Sequence, residues 1–119
     1  MDCIERDLLS VIPLFVWQKD CEGRYKYANP AFCDWVGRSV EDVLGRTDHD
    51  IWDQATANQL AADEERVALR GTSLQKQTLV SVGGRQVWVE YRLSPVINSK
   101  GEVIAIAGVG DDITERKEL

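Results

Sequence analysis

The sequence has few of the residues that metal and redox sites require. His49 is the only histidine, and Cys3, Cys21 and Cys33 are the only cysteines among 119 residues. The three cysteines form no C-x-x-C pair and cannot all be bridged to one another, so a reducing compartment is the simplest setting. We therefore predict a cytoplasmic location and no metal site.

Long apolar segments and an excess of positive charge are also lacking. The longest apolar run, from Val103 to Val109, is far shorter than the roughly 20 residues that cross a bilayer. The opening MDCIERDLLS has early acidic residues and no apolar core of the kind found in signal peptides. A net charge of −6 is unsuited to binding a phosphate backbone. We predict no membrane contact by this chain and no nucleic-acid partner.

The motifs of common enzymes are missing as well. Asp111 and Asp112 could be read as paired carboxylates for metal-dependent nucleotidyl transfer, but that chemistry needs a third acidic ligand and a phosphate-binding loop. The sequence contains no G-x-x-x-x-G-K motif. The pair His49-Asp50 resembles part of a metal phosphohydrolase site, yet no second histidine is available to complete it. We predict no catalytic activity for this chain.

The most informative segment that is present lies near the C-terminus. From Val103 to Val109, residues on both alternating faces are apolar or small. This pattern predicts a strand in the middle of a sheet, covered on both sides. Gly110 to Asp112 is predicted to end the strand. The stretch from Ile113 to Leu119 is charged and rich in helix formers, which predicts the start of a helix.

Periodicity and turn residues divide the rest of the chain into an ordered series of elements. They predict an amphipathic helix over Asp2–Val11, strands over Leu14–Lys19 and Arg24–Ala28, a helix over Pro30–Val36, a short helix capped by Ser39, a polar connection over Arg46–Asp53, a long helix over Gln54–Arg70, and strands over Leu74–Val82 and Gln86–Leu93, with Pro95 ending the last ladder. The order predicts an α+β fold: a five-stranded antiparallel sheet with its helices on one face.

Several motifs in this order resemble a PAS domain, a sensory module of bacterial signalling proteins. They are Asp20-Cys21-Glu22-Gly23, Tyr27-Ala28-Asn29-Pro30-Ala31-Phe32, Val43-Leu44-Gly45-Arg46, Val87-Trp88-Val89 and Asp112-Ile113-Thr114-Glu115-Arg116. The resemblance implies the sheet order 2-1-5-4-3. It also implies one PAS domain over 1–119, with a flanking helix at 1–12, a core at 14–112 and the start of an output helix or linker at 113–119.

The PAS resemblance further implies a ligand cavity between the sheet and the long helix. The positions that map onto its lining are Trp17, Lys19, Trp35, Ile51, Trp52, Leu60, Val67, Val89, Tyr91, Ile106, Gly108 and Gly110. Gly108 and Gly110 are expected to leave room at the surface of the strand, which larger side chains would fill.

Haem and covalent flavin are not expected in that cavity. Haem-binding relatives carry an axial histidine on the long helix, which has none here, and we interpret His49 as a solvated or capping residue. Covalent flavin requires a cysteine in an N-C-R-F-L-Q motif, but the corresponding Thr47–Trp52 stretch has none. Non-covalent flavin, stacked on tryptophans, and a small metabolite remain candidates, although four tryptophans are also typical of a packed core.

Two sets of charged residues have alternative interpretations. If Lys19 faces the cavity, it could pair with an anionic ligand; otherwise its ammonium extends to solvent at the rim. The acidic run Asp63-Glu64-Glu65 lies mostly outside the apolar stripe of the long helix, which predicts a solvated face.

The resemblance assigns signal relay to the junction between the last strand and the last helix. Asp112 and Thr114 can bond nearby backbone groups there, and Arg116 can pair with a carboxylate. These residues either merely cap the helix or shift between two arrangements. The implied partners are a second copy, contacted through the N-terminal helix and the sheet, and a covalently linked histidine kinase or diguanylate cyclase. The alternative function is a PAS domain that binds nothing and serves as a dimerisation or spacer element.

Overall fold

A computed structural model describes residues 13–118 of the chain. The predicted helix over Asp2–Val11, Cys3 and the terminal Leu119 lie outside the described residues. The strands are β1 (Phe15–Asp20), β2 (Tyr25–Ala28), β3 (Leu74–Val82), β4 (Arg85–Ile97) and β5 (Val103–Asp112). The helices are α1 (Pro30–Val36), α2 (Val40–Val43), α3 (Asp48–Ile51), α4 (Gln54–Arg70) and α5 (Thr114–Glu118).

The strands form one antiparallel sheet in the order β2-β1-β5-β4-β3, as predicted. The central position of β5 is confirmed, since it pairs with β1 from Phe15 opposite Gly110 to Asp20 opposite Ala105, and with β4 on its other side. Ile104 and Val109, however, are 50% and 36% exposed. Residues 13–118 therefore do not cover both faces of β5 along its whole length, contrary to the prediction.

Three predicted boundaries were wrong. The connection Arg46–Asp53 contains α3, whose first turn carries Asp48 and Asp50 where the helix dipole favours acids. Strand β5 continues through Gly110 to Asp112, because β4 supplies pairing partners as far as Val89. Strand β4 passes Pro95 and ends at Ile97. Proline is tolerated there because β3 begins at Leu74, opposite Leu93, so one side of β4 has no strand neighbour beyond Leu93.

Asn29 joins the first strand to the first helix. Its Oδ1 accepts hydrogen bonds from the backbone N–H of Phe32 and of Val16, both at 3.0 Å, and its Nδ2 donates to the Leu14 carbonyl at 2.8 Å. The residue is fully buried. It therefore caps α1 and also fixes the helix against β1, which brings the aromatic face of α1 over the sheet.

The core lies between the sheet and the helices. Trp17, Tyr25, Phe32, Trp52, Leu60, Val89 and Tyr91 are among its buried members. In the part of the chain from 13 to 118, no helix combines the length and the apolar character needed to cross a membrane.

Candidate functional site

Aromatic rings fill most of the space between the sheet and the helices. Phe15 and Trp35 stack with ring centroids 4.0 Å apart, and Trp35 meets Trp52 edge-on at 5.3 Å. Trp17 packs against Phe32 with centroids 5.5 Å apart. The cavity that remains among the rings has a volume of about 20 Å³. This is room for roughly one water molecule.

The structure brings together some of the predicted lining residues and not others. The cavity is lined by the predicted Trp17, Trp35, Trp52, Leu60, Val89, Tyr91 and Gly110, and also by Phe15, Tyr25, Phe32 and Val80, which the sequence analysis did not assign to it. The predicted Lys19, Ile51, Val67, Ile106 and Gly108 do not line it. Strand alternation could have identified Phe15 and Val80, because Phe15 shares a face of its strand with Trp17 and Val80 lies opposite Val87 on β4.

The room expected beside the strand glycines is taken by Trp17. A Cβ atom on Gly108 would overlap the indole ring, and one on Gly110 would lie 3.4 Å from ring carbon Cζ3. The glycines therefore make space for a side chain of the protein itself rather than for open volume.

The indole nitrogen of Trp35 is the polar atom that stands out beside this cavity. Trp35 Nε1 is buried and is without a hydrogen-bond partner among the described residues. Buried donors normally have an acceptor, so an acceptor atom placed there would be stabilised.

Lys19 is held by two carboxylates of the protein, so both interpretations given to it were wrong. Its side chain is 1% exposed, and its Nζ lies 2.5 Å from Asp48 Oδ2 and 2.9 Å from Glu64 Oε1. Tyr25 donates its hydroxyl to Asp48 Oδ1 at 2.6 Å, and the Trp52 indole N–H donates to the Tyr25 oxygen at 3.3 Å. Burial, followed by the Asp48 charge, raises the pKa of Tyr25 well above its usual value, so the phenol remains a donor.

The acidic run of α4 is not a solvated face. Asp63 is buried, and the Glu64 side chain is only 13% exposed. Burial raises the pKa of Glu64 from 4.5 to about 7, opposed by the Lys19 charge and reinforced by Asp48. Only Glu65 is exposed as predicted. The pattern of the helix was misread, because Asp63 and Glu64 lie three and four residues after Leu60 and therefore share its buried face.

Asp63 forms a second link between α4 and the sheet. Tyr91 on β4 donates its hydroxyl to Asp63 Oδ2 at 2.5 Å, and Lys76 on β3 lies 3.0 Å from the same oxygen. Burial, followed by the Asp63 hydrogen bond and charge, raises the pKa of the Tyr91 phenol. Two acids at successive positions of α4 therefore bind opposite halves of the sheet.

A groove of about 420 Å³ leads from solvent to the Lys19–Asp48–Glu64 cluster. Its walls include the turn after β1, the start of α3 and one face of α4. His49 lies in this wall and is exposed, as the interpretation of a solvated residue predicted. Within residues 13–118, no group of three or more His, Cys, Asp or Glu side chains has the arrangement of a metal site.

The predicted relay residues meet at the end of β5. Thr114 Oγ1 accepts the backbone N–H of Trp88 at 2.9 Å, and Asp112 Oδ1 accepts the N–H of Thr114 at 3.0 Å. Arg116 pairs with Asp111 at 3.3 Å rather than with Asp112. Ile113 is 2% exposed and donates its N–H to the Trp88 carbonyl at 2.9 Å. Both backbone groups of Trp88 on β4 are therefore bound to the start of α5.

The sheet order, the aromatic cavity and this junction agree with a family assignment. A family model described as PAS fold matches residues 9–118. The chain belongs to the PAS family. The PAS domain from Bordetella pertussis BvgS superposes on it with a TM-score of 0.80 and 31% identity, covering 97% of this chain and 88% of that one.

Two relatives with a similar region are signalling proteins much longer than this chain. A diguanylate cyclase of Vibrio cholerae serotype O1 is 31% identical over 116 residues, which is 94% of this chain and 36% of the cyclase. A blue-light-activated histidine kinase of Rhizobium johnstonii is 30% identical over 97 residues, which is 77% of this chain and 27% of the kinase. The chain thus spans about a third or less of the length of these relatives, and the region they share with it is the regulatory PAS domain.

Proposed function

We propose that this PAS domain is the sensory or relay module of a longer signalling protein, and that it passes a conformational change through α5 to a histidine kinase or diguanylate cyclase. The observation that carries the proposal is the pair of hydrogen bonds that joins the backbone of Trp88 to Ile113 and Thr114. It couples the first turn of α5 to β4, next to the central strand. A displacement of the sheet would therefore alter how the helix leaves the domain.

The interior of the domain favours relay without a resident ligand of flavin or haem size. A volume of about 20 Å³ holds about one water, so a larger ligand would have to displace Trp17, Trp35 or Trp52. The family-type cavity is instead filled by the protein's own rings. In this proposal the domain works in the cytoplasm as a homodimer, with 14–112 as its core and 113–119 as the start of the output helix.

A small ligand is a second candidate, supported by the unpartnered indole nitrogen of Trp35. Such a ligand would be flat enough to stack on the neighbouring rings and would carry an acceptor for that N–H. Native mass spectrometry of the purified chain, with an absorption scan and a thermal-shift panel of metabolites, separates the two candidates. A retained mass or a specific thermal shift supports the ligand, and a clean apo mass with no shift supports relay alone.

The relay itself is tested in a chimera in which this chain replaces the matched region of the Rhizobium histidine kinase, with autophosphorylation as the readout. Thr114→Val keeps the shape of the side chain and removes the acceptor for Trp88. We expect it to change the rate about twofold to thirtyfold, the range that corresponds to a coupling of about 0.5–2 kcal/mol. Thr114→Ser keeps the hydroxyl and is the matched control. An unchanged rate in a folded Thr114→Val chimera would contradict the proposal.

A further inference from the structure

The Lys19–Asp48–Glu64 cluster holds two acids and one base away from solvent. The exposed fractions of the three side chains are 1%, 7% and 13%. When all three groups are ionised, one negative charge has no counterion within the cluster. A buried charge that lacks a partner is costly, and the group usually takes up a proton instead.

The partners of the two acids decide which of them receives the proton. Asp48 accepts from Lys19 and from Tyr25, at 2.5 and 2.6 Å. Glu64 accepts from Lys19 at 2.9 Å, and its other side-chain interaction within the cluster is with Asp48, which raises the pKa of Glu64. The carboxylate of Glu64 therefore has fewer donors to hold its negative charge, since each hydrogen bond to a carboxylate favours the charged form. Glu64 is the group that is more easily neutralised, and the rise of its pKa to about 7, caused mainly by burial, agrees with this assignment.

The other groups around Glu64 add no second positive charge that is buried. Those that face the cluster or its groove from the neighbouring elements are Lys19 and Asp20 of β1, Cys21 and Glu22 of the following turn, Tyr25 of β2, Asp48 and His49 of α3, Tyr91 of β4, and Glu65 of α4 itself. Strand β5 presents the apolar Ile106. Apart from Lys19 and the exposed His49, these groups are carboxyl groups, phenols and the thiol of Cys21, so the surroundings favour a protonated Glu64.

The groove connects the Glu64 carboxyl group to solvent and has room for the side chain in its ionised form. It opens to solvent and is lined by Glu64 itself together with Ala61 and Ala68 of the same helix. A carboxylate that loses its proton can turn into this space of about 420 Å³ and be hydrated there. Turning outward would release one of the two carboxylates that tie Lys19 of β1 to the helices.

We propose that the Lys19–Asp48–Glu64 cluster makes the packing of α3 and α4 on β1 depend on pH, with Glu64 as the group that gains and loses the proton. Below the transition, Glu64 is neutral, the cluster carries no net charge, and the helices are held closed on the strand. Above it, the excess negative charge weakens the contact between α4 and β1. Because β1 pairs with β5 from Phe15 to Asp20, the change is applied to the strand that leads to α5. The pH dependence stands independently of the proposed relay, and only its effect on an output would rest on that relay.

The direct test is a carbon-13 NMR titration of the glutamate carboxyl groups, assigned with Glu64→Gln. We expect Glu64 to titrate with a midpoint near 7, well above its ordinary value of 4.5. A midpoint near 4.5 in the folded wild-type chain overturns the proposal. This measurement requires only that the wild-type chain is folded.

Thermal unfolding between pH 5 and pH 8 gives the second test. The folded state binds the Glu64 proton more tightly than the unfolded state does. The contribution of this proton to the free energy of unfolding is therefore fully present below pH 4.5 and is lost as the pH rises to about 7. We expect the wild-type midpoint temperature to fall by about 4–10 °C across this range. Glu64→Gln should remove most of that fall, while Glu65→Gln, an exposed neighbour in the same groove, should retain it. Equal pH profiles for wild type and Glu64→Gln would refute the assignment.

Discussion

The indole ring of Trp17 lies flat against the position of Gly108 on the neighbouring strand. The two residues are directly opposite each other in the β1–β5 ladder, and any side chain at 108 would overlap the ring. Trp17 is 6% exposed and contributes to the wall of the small aromatic cavity. The glycine therefore determines where the indole ring of Trp17 can lie, and this ring in turn limits the space that is left for a ligand.

Gly108→Ala should destabilise the domain because the added methyl group forces the Trp17 ring out of its position. Overpacking a core of this kind typically costs about 1–3 kcal/mol. Urea unfolding followed by tryptophan fluorescence measures the loss of stability and reports the displaced ring. Gly110→Ala is the matched control, since its Cβ would lie 3.4 Å from the same ring, an ordinary contact distance. If the two variants lost the same stability, the close approach at Gly108 would not be the cause.

The sequence was sufficient to predict the topology of the sheet but not the contents of its cavity. The motifs from Asp20 to Arg116 and the two-sided apolar pattern of β5 were enough to predict the strand order. The family resemblance also placed Trp17, Val89, Tyr91 and Gly110 on the lining of the cavity, where the structure has them. Alternation specifies the face and not the rotamer, however, so it could not reveal that the Trp17 ring covers Gly108.

The charged cluster was missed for a different reason. Lys19 is separated by 29 residues from Asp48 and by 45 from Glu64, and no local pattern links them. Helix periodicity did offer a signal that was overlooked, since Glu64 lies four residues after Leu60 and three before Val67 and so shares their buried face. A further signal was Lys19 itself. It lies two residues after Trp17 and so points to the same, inner face of β1, and a buried lysine needs an acidic partner. Searching the helices for that acid would have led to Glu64 and Asp48.

Asn29→Ala should be among the most destabilising single changes at a polar position. It removes the cap of α1 and leaves the Val16 N–H and the Leu14 carbonyl without their partner. A lost cap costs about 1 kcal/mol, and each unpaired buried group adds about 1–3 kcal/mol, so we expect a loss of about 2–5 kcal/mol. Chemical denaturation measures it. Ser39→Ala, which removes the exposed cap of α2, should cost no more than about 1 kcal/mol. Comparable losses in the two variants would show that Asn29 acts only as a helix cap.

Lys19→Met should leave two buried carboxylates without a counterion. Breaking a buried ion pair by removing one partner costs about 3–5 kcal/mol, measured as a loss of unfolding free energy at pH 8. The loss should be smaller at pH 5, where Glu64, with its pKa of about 7, is already neutral. Lys26→Met provides the control, because Lys26 is 58% exposed and its pairing with Asp20 at 3.5 Å is a surface contact worth at most about 1 kcal/mol. A loss for Lys19→Met that did not vary with pH would mean that Glu64 does not change its protonation state between pH 5 and pH 8.

Tyr91→Phe tests the second link between α4 and the sheet. The change removes the hydroxyl that donates to Asp63 at 2.5 Å and leaves the ring in place. A hydrogen bond to a charged acceptor contributes about 1.5–3 kcal/mol. Asp63 retains Lys76 at 3.0 Å, so we expect a loss toward the lower end of that range. The variant Lys76→Met is the complementary change, since it removes the ammonium group from Asp63 and keeps the hydrogen bond from the Tyr91 hydroxyl.

The double variant Tyr91→Phe/Lys76→Met decides whether the two donors act on Asp63 together. If they do, the double variant should lose more stability than the sum of the two single losses. Each single variant leaves Asp63 with one of the two donors, whereas the double variant removes both from the buried carboxylate. Urea unfolding of all four proteins gives the coupling free energy directly. Strictly additive losses would mean that Asp63 finds solvent when either donor is removed. Each donor would then contribute to holding the helix on the sheet independently of the other.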